Sequence, residues 1–122
     1  MPPCNAAAVV RRSVTPTVWP QTLVLSLKRF RSEFEDGLIK VTKVLTHVSF
    51  ETLLLVQNDM MPYHLKGVIQ HHGRHAAGGH YNCHVRASDN HWYSCDDHKR
   101  PVRTNTDEVL KAQAYVLVYE LG

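Results

Sequence analysis

Residues 80–87 alternate in polarity, and this pattern constrains the fold more than any other in the chain. The two alternating sets of side chains are His80, Asn82, His84 and Arg86 against Tyr81, Cys83, Val85 and Ala87. A period of two is typical of a half-buried β-strand. Residues 88–90 are turn formers, and the aromatic-rich segment 92–96 predicts a returning strand. The sequence therefore predicts an antiparallel hairpin.

The symmetry of this hairpin predicts which side chains meet. Position 88, inside the turn, is midway between His80 and Asp96, so we expect these two residues opposite one another, with Cβ atoms about 5 Å apart. Asn82 and Ser94 would share their polar face. The buried face would carry Cys83, Val85, Tyr93 and Cys95.

A carboxylate beside a histidine has a defined chemical use. It accepts the proton on Nδ1, fixes the tautomer and leaves Nε2 free to take a proton from a thiol or a hydroxyl. Gly78 and Gly79, directly before His80, would let a second backbone come close. His80 and Asp96 are therefore candidates for proton transfer; the alternative is an ordinary pair of surface polar residues.

The remaining segments predict mostly strands. Strand-like runs occupy 22–30, 39–45, 63–70, 100–104 and 114–121, and 48–56 is compatible with a buried strand or a short helical turn. Thr106 precedes an acidic segment that predicts one or two capped helical turns. Residues 1–16, with three prolines and an alanine run, are expected to be loose. We expect a single domain over 17–122.

Five short motifs follow one another along most of the chain. They are the proline-led run 20–30 ending in Leu-Lys-Arg-Phe, the Tyr-x-Leu-x-x-Val-x-x-His-x-Gly pattern of 63–73, Gly-Gly-His-Tyr at 78–81, Trp-Tyr-x-x-Asp-Asp at 92–97, and Ala-Tyr-x-Leu-x-Tyr at 114–119. Together they resemble the C-terminal half of the catalytic domain of ubiquitin-specific proteases, which are papain-like cysteine deubiquitinases. The resemblance implies an α+β fold, mostly antiparallel β-sheet with one short helix, similar to the palm of these enzymes.

The resemblance also implies roles for individual residues. His80 resembles the catalytic base, Asp96 the residue that orients it, and Asp97 a second acidic residue that shares this work in some members. A narrow channel in the family receives the ubiquitin tail, whose terminal Gly-Gly is selected by steric exclusion of side chains. The matching channel positions here are His71, Gly78, Gly79 and Tyr81.

The nucleophile is where the chain departs from the family. The family's cysteine lies in a Gly-Asn-Thr-Cys-type box of a separate helical subdomain, and these 122 residues contain no such box. Cys83 and Cys95 fall on the predicted buried face, where cysteine is usually inert. Cys4 resembles the last cysteine of a zinc ribbon, but a structural zinc site needs four ligands. We therefore expect no nucleophile and no metal, and Cys4 as a free thiol.

Composition limits the possible partners. The formal net charge of +3 is too small to indicate nucleic-acid binding, and no stretch reaches the roughly 18 apolar residues of a membrane span. The first residues lack the features of a signal peptide. Three cysteines, an odd number, fit a reducing compartment. We expect no nucleic-acid or membrane partner and a cytoplasmic or nuclear location.

Three functions are compatible with these observations. The first is part of a cysteine deubiquitinase that hydrolyses the (iso)peptide bond after the last glycine of ubiquitin, completed by the missing N-terminal part of the domain and inactive alone. The second is a non-catalytic, ubiquitin-binding pseudo-enzyme. The third is a His-rich metal-binding module, because seven of the nine histidines lie between residues 71 and 98. No histidine pair has the spacing of a known zinc motif, so we expect no cofactor.

Overall fold

The structure is a computed structural model that describes residues 10–73 and 78–122. Cys4 lies outside the described residues, as does His75. The described part contains nine strands and one helix: β1 (Thr22–Ser26), β2 (Phe30–Glu35), β3 (Leu38–Lys43), β4 (Leu53–Val56), β5 (Met61–His72), β6 (His80–Arg86), β7 (Trp92–Cys95), β8 (Val102–Thr104), α1 (Thr106–Leu110) and β9 (Ala114–Leu121). None of the helices in this described part is long and apolar enough to cross a membrane.

Antiparallel pairing organises the whole fold. Seven strands form one sheet: six follow the order β1-β9-β5-β6-β7-β8, and the seventh, β4, pairs with the N-terminal half of β5. Strands β2 and β3 form a separate hairpin, joined by Asp36 and Gly37, which both have positive φ as a tight hairpin turn requires. The predicted α+β class, mostly antiparallel with one short helix, is confirmed.

Strand β5 is the centre of the sheet because it has partners on both sides, β9 on one and β4 and β6 on the other. Its middle is apolar, and Tyr63, Leu65 and Val68 are fully buried. They pack with residues of β7, α1 and β9 in one core of nine buried side chains, whose other members are Trp92, Val109, Ala112, Ala114, Leu117 and Tyr119. This core holds β5 and β9 rigidly in place, and β6 extends from it towards the candidate site.

Helix α1 covers the sheet beside β6 and β7. Asn105 caps its first turn, since the side-chain Oδ1 accepts the Glu108 amide at 2.9 Å. The predicted helix is present, although the cap is Asn105 rather than Thr106. Val109 is fully buried, and a cavity under the helix is lined by Gln70, His84, Ser94, Thr104, Glu108, Lys111 and Ala112. The core therefore lies on the face that carries His84 and Ser94.

One predicted strand differs from the structure, and one open alternative is decided by it. The run 22–30 is divided, because β1 ends at Ser26 and β2 begins at Phe30. Between them Arg29 turns inward, is 3% exposed, and donates from Nε to the Ala114 carbonyl at 2.9 Å. Segment 48–56, which was compatible with strand or helix, contributes strand β4. The hydrogen bond from the buried Arg29 guanidinium to β9 is a tertiary contact. The local alternation of polar and apolar residues could not predict it.

The β6–β7 hairpin has a different register from the predicted one. Cys83 lies opposite Cys95, so the midpoint is position 89 and not 88. The amide of Asn90 bonds to Ala87 O at 2.9 Å, and Asn90 has φ 66°. A turn followed by a left-handed residue makes a three-residue loop, which shifts the returning strand by two positions. Extended by one pair, this register sets Asp96 opposite Asn82, so the predicted opposition of His80 and Asp96 is wrong.

The buried face of the hairpin was also predicted incorrectly. Cys83, Val85, Tyr93 and Cys95 are only half-buried, whereas Trp92, on the opposite face, is 5% exposed. Helix α1 packs on the Trp92 side of the sheet and supplies the apolar cover there. Both faces of the hairpin therefore carry polar and apolar groups together.

Candidate active site

The residue before the last of strand β5 is a buried histidine that contacts the segment before β6. His71 is 3% exposed, and its Nε2 bonds to the Gly78 carbonyl at 2.8 Å. Three aromatic rings surround it within 6.1 Å of its ring centroid: Phe30, Tyr81 and Tyr115. We call His71 with Gly73, Gly78 and Gly79 the loop anchor. The buried ring fixes the path of the chain as it enters β6.

Gly79 is the position in the anchor where only glycine fits. Its φ is +122°, and a Cβ there would stand 2.3 Å from the His72 carbonyl oxygen and 2.7 Å from His71 Nε2. Side chains rarely adopt such a φ, and such separations are below any van der Waals contact. Gly78 differs, because a Cβ there would meet nothing within 4 Å. The sequence identified both glycines, and the structure separates their roles.

Lys43 also stabilises the loop anchor, a contact that the sequence did not predict. Lys43 Nζ donates to the carbonyl of His71 at 2.6 Å and to that of Gly73 at 2.9 Å. Burial lowers the pKa of Lys43, and the nearby positive charge of Arg29 lowers it further. Strand β3 of the separate β2–β3 hairpin brings this lysine to the end of β5, so no local pattern around residue 43 could have revealed the contact.

His80 meets two carboxylates at the exposed end of β6. Its Nε2 lies 2.5 Å from Asp96 Oδ1, and its Nδ1 lies 3.5 Å from Asp97 Oδ2. The His80 side chain is 46% exposed, Asp96 32% and Asp97 65%. We call these three residues the acid–histidine cluster. The structure thus brings together all three residues that the sequence nominated for catalysis.

The ring orientation differs from the expected one. The prediction set Nδ1 against Asp96 and left Nε2 free, whereas Nε2 is the nitrogen that meets Asp96. The shifted register explains this, because residues offset by two on neighbouring strands are about 7–8 Å apart. Here Nε2, the ring nitrogen farther from the backbone, spans that gap. In this conformation Nδ1, which is 3.5 Å from the well-exposed Asp97 carboxylate, is the less firmly held nitrogen.

A turn after β7 presents the two acids. The Lys99 amide bonds to Asp96 O at 3.0 Å, and Asp97 has φ 46°, so the backbone folds back and both carboxylates face His80. The hydrogen bond from His80 lowers the pKa of Asp96, and the positive charges of His80 and Lys99 add to this effect. Asp96 is therefore ionised at neutral pH, as a group that orients an imidazole must be.

Two polar residues next to the cluster were not nominated for the site. His72 lies opposite His80 in the β5–β6 register, with ring centroids 6.4 Å apart, and its Nε2 bonds to Asn82 Oδ1 at 2.7 Å. The sequence did place Asn82 on the same face as His80. If β5 and β6 had been predicted to pair, His72 would have been nominated as a neighbour of His80. The sequence does not show that these two strands are adjacent.

The candidate channel residues lie around the loop anchor. Tyr81 is 49% exposed, and its ring packs on that of His71 with centroids 4.8 Å apart. Gly78 and Gly79 are exposed, whereas the His71 side chain is buried behind them. Contact of these residues with a ubiquitin tail stays a prediction. Because His71 is buried, it would act by supporting the residues that line the channel.

No other part of the described chain gathers metal-ligand types as the cluster does. His80, Asp96 and Asp97 each offer an atom within 4.8 Å of the others, but they are three ligands rather than the four of a structural zinc site. Other histidines bond elsewhere: His71 to Gly78, His72 to Asn82, His84 to Ser94 and His91 to Arg103. The chemistry of the cluster suits the orientation of an imidazole, and the absence of a metal stays a prediction.

The chain has relatives among known proteins. The sequence matches the family described as "Ubiquitin carboxyl-terminal hydrolase" over residues 8–119. It is 34% identical over 119 residues to ubiquitin carboxyl-terminal hydrolase 23 of Arabidopsis thaliana, covering 95% of this chain and 14% of that protein. It is 37% identical over 113 residues to ubiquitin carboxyl-terminal hydrolase 44 of Ailuropoda melanoleuca, covering 82% of this chain and 15% of that protein.

Solved structures show the same relationship. The fold superimposes with a TM-score of 0.75 and 30% identity on a chain of the SAGA DUB module of Ubp8, Sgf11, Sus1 and Sgf73 bound to monoubiquitin, covering 84% of this chain and 24% of that one. A second structure of that module, bound to ubiquitin aldehyde, gives a TM-score of 0.74 and 29% identity with 84% and 25% coverage. This chain belongs to the ubiquitin carboxyl-terminal hydrolase family and spans about a seventh of the length of the relatives named above.

Proposed function

We propose that residues 17–122 are the C-terminal part of a cysteine deubiquitinase catalytic domain and supply its base and orienting carboxylate. The observation that carries the proposal is the 2.5 Å contact between His80 Nε2 and Asp96 Oδ1, made by the two residues that match the family's catalytic motifs. The reaction is hydrolysis of the (iso)peptide bond after the C-terminal glycine of ubiquitin. Its natural setting is the cytoplasm or the nucleus.

The thiol nucleophile would come from a segment other than these 122 residues. Cys83 lies an odd number of positions from His80 along β6, and Cys95 is its direct partner on β7, so both thiols point to the opposite face of the hairpin from His80. Cys4 lies outside the described residues. The chain by itself is therefore expected to bind and orient without hydrolysing, since a base needs a nucleophile to activate.

The cluster supports a defined sequence of proton transfers. His80 takes the proton of the incoming thiol, the thiolate attacks the carbonyl carbon, and the imidazolium returns the proton to the departing lysine amine. Water then releases the acyl group with His80 again as base. Asp96 holds the ring and stabilises its positive charge. Nδ1 is the nitrogen open to the thiol in this conformation, and rotation about χ1 and χ2 would exchange the two nitrogens.

The loop anchor supports recognition of the ubiquitin tail. Gly78 and Gly79 present backbone without side chains, and Tyr81 offers a half-exposed ring beside them. A tail ending in Gly-Gly fits against such a wall, whereas larger residues would clash. The bound ubiquitin and ubiquitin aldehyde in the related SAGA DUB structures support this assignment of the partner.

A chimaera tests the proposal with the nucleophile present. Residues 10–121 replace the matching segment in the catalytic domain of the Arabidopsis relative, and cleavage of a fluorogenic ubiquitin amide is measured. We expect cleavage by the chimaera and none by the 122-residue chain. Ubiquitin with a C-terminal electrophile should label only the cysteine of the host segment. Labelling of Cys83 or Cys95 would overturn the proposal, and a folded chimaera that binds ubiquitin without cleaving it would favour the pseudo-enzyme.

A further inference from the structure

Two cysteines face one another in the hairpin that carries the acid–histidine cluster. Cys83 on β6 is the direct partner of Cys95 on β7. The Ala87 amide bonds to His91 O at 2.9 Å, which makes that pair hydrogen-bonded, and pair types alternate along an antiparallel ladder. Cys83 and Cys95, four residues further on, are therefore also a hydrogen-bonded pair, with Cα atoms about 5.5 Å apart. That spacing lies in the range of natural disulfides.

Both thiols are free and reachable by a small oxidant. Each cysteine is half-buried, and together they line an open groove of about 250 Å³ with Ile69, Tyr81, Asn82 and Asp97. Burial raises the pKa of Cys83, and the adjoining Cys95 thiol raises it further. The two thiols are therefore neighbours in the reduced protein.

We propose that Cys83 and Cys95 are a redox-modification site at which a peroxide forms an intramolecular cross-strand disulfide. The Cys95 thiolate attacks one oxygen of hydrogen peroxide, the O–O bond breaks, and hydroxide leaves as Cys95 becomes a sulfenic acid. The Cys83 thiol then attacks that sulfur, the S–O bond breaks, and water leaves. The two thiols lose two electrons and the peroxide gains them.

Such a bond would be reversible. Opposite Cβ atoms in a hydrogen-bonded pair are about 5.5 Å apart, whereas disulfides prefer about 3.8 Å. Closing this difference strains the hairpin, and strained disulfides are the ones that cellular thiols readily reduce. A reversible disulfide of this kind also fits a reducing compartment, where structural disulfides are rare and redox-sensing ones occur.

The bond would act on the acid–histidine cluster. Cys95 directly precedes Asp96, Asp97 lines the same groove as the two thiols, and His80 lies three residues before Cys83. Drawing β6 and β7 together at this point displaces the turn that presents both carboxylates to His80. Formation of the bond does not depend on the proposed function; its effect on proton transfer does.

Peptide mapping of the 122-residue chain tests the inference. All proteins carry Cys4→Ser, so that the only thiols are Cys83 and Cys95. The reduced chain is treated with a small excess of hydrogen peroxide, alkylated, digested and analysed by mass spectrometry. We expect one species in which the two cysteine peptides are joined with loss of two hydrogens, and its disappearance on treatment with dithiothreitol. Cys83→Ser and Cys95→Phe are the matched variants that cannot form it.

Other products would overturn the inference. Unreacted thiols, sulfinic acids on both cysteines, or linkage between separate molecules would each exclude the proposed bond. Far-UV circular dichroism of the reduced proteins shows whether each variant is folded, and ¹H–¹⁵N spectra of the untreated and oxidised chain should differ at Asp96 and His80. Because the mass change needs no ubiquitin, an inactive chimaera and an absent disulfide are separate results.

Discussion

Two histidines nine residues apart serve opposite purposes in this fold. His71 is 3% exposed, packed among aromatic rings and bonded to a backbone carbonyl. His80 is 46% exposed and lies between two carboxylates. The comparison of the loop anchor with the acid–histidine cluster shows that burial and neighbours decide whether a histidine side chain is part of the scaffold or is free to take the proton-transfer role proposed for His80. The rigid region makes the polar one possible, because it fixes where β6 begins.

The largest effect should come from removing the proposed general base. His80→Ala in the chimaera should lower kcat by about 10²- to 10⁴-fold, because a general base contributes that much. The electrophilic ubiquitin should label this variant slowly. His98→Ala is the matched control, since His98 is an exposed histidine two residues beyond Asp96. Equal cleavage by both variants would remove His80 from the mechanism.

Substitution in the loop anchor should reduce the stability of the fold. Gly79→Ala should lower the free energy of unfolding by about 3 kcal/mol, because the new Cβ meets His72 O and His71 Nε2 at a φ that side chains avoid. Urea denaturation measures the change. Gly78→Ala is the control, since a Cβ there meets nothing within 4 Å. Similar losses in both variants would contradict the close packing assigned to Gly79.

Substitution of Lys43 should destabilise the loop anchor less than substitution of Gly79. Lys43→Met should lower the free energy of unfolding by about 1 kcal/mol, because two charge-assisted hydrogen bonds to His71 O and Gly73 O are lost while the aliphatic stem is retained. Lys40→Met, on the exposed side of the same strand, should change it little. Hydrogen exchange at residues 71–73 should rise only in the Lys43 variant; a uniform rise would argue against a local role.

The smallest effect concerns the charge of the cluster. His80 lowers the pKa of Asp96, so its carboxyl ¹³C resonance should titrate below the usual aspartate range, and His80→Ala should move the midpoint upward. Since the folded-state pKa lies below the unfolded value, this contact stabilises the fold fully above the unfolded pKa. The contribution is lost as pH falls through the folded pKa. An Asp96 midpoint unaffected by His80→Ala would contradict the pairing.

The cluster and the anchor also differed in how well the sequence predicted them. The motifs named His80, Asp96 and Asp97, and the structure brings these three together. Their pairing geometry was missed, because one left-handed residue, Asn90, sets the hairpin loop and moves the register by two. The period of two survived this shift, so His80 and Asp96 still share a face, and the turn at Asp97 brings the second carboxylate towards His80. The polarity pattern predicts on which face of the sheet a side chain lies, whereas the turn decides which residue of the next strand lies opposite it.

Sequence alone determined the strand-rich class, the hairpin, the final strand and the residue types of the candidate site, because alternation and turn chemistry are local properties of the chain. Only the tertiary structure decided that Lys43 reaches the loop anchor, that Arg29 divides a predicted strand, that Cys83 faces Cys95, and that Nε2 of His80 meets Asp96. These contacts join residues on separate strands or depend on the register between strands. Their distances follow from how the strands are assembled, which no local pattern encodes.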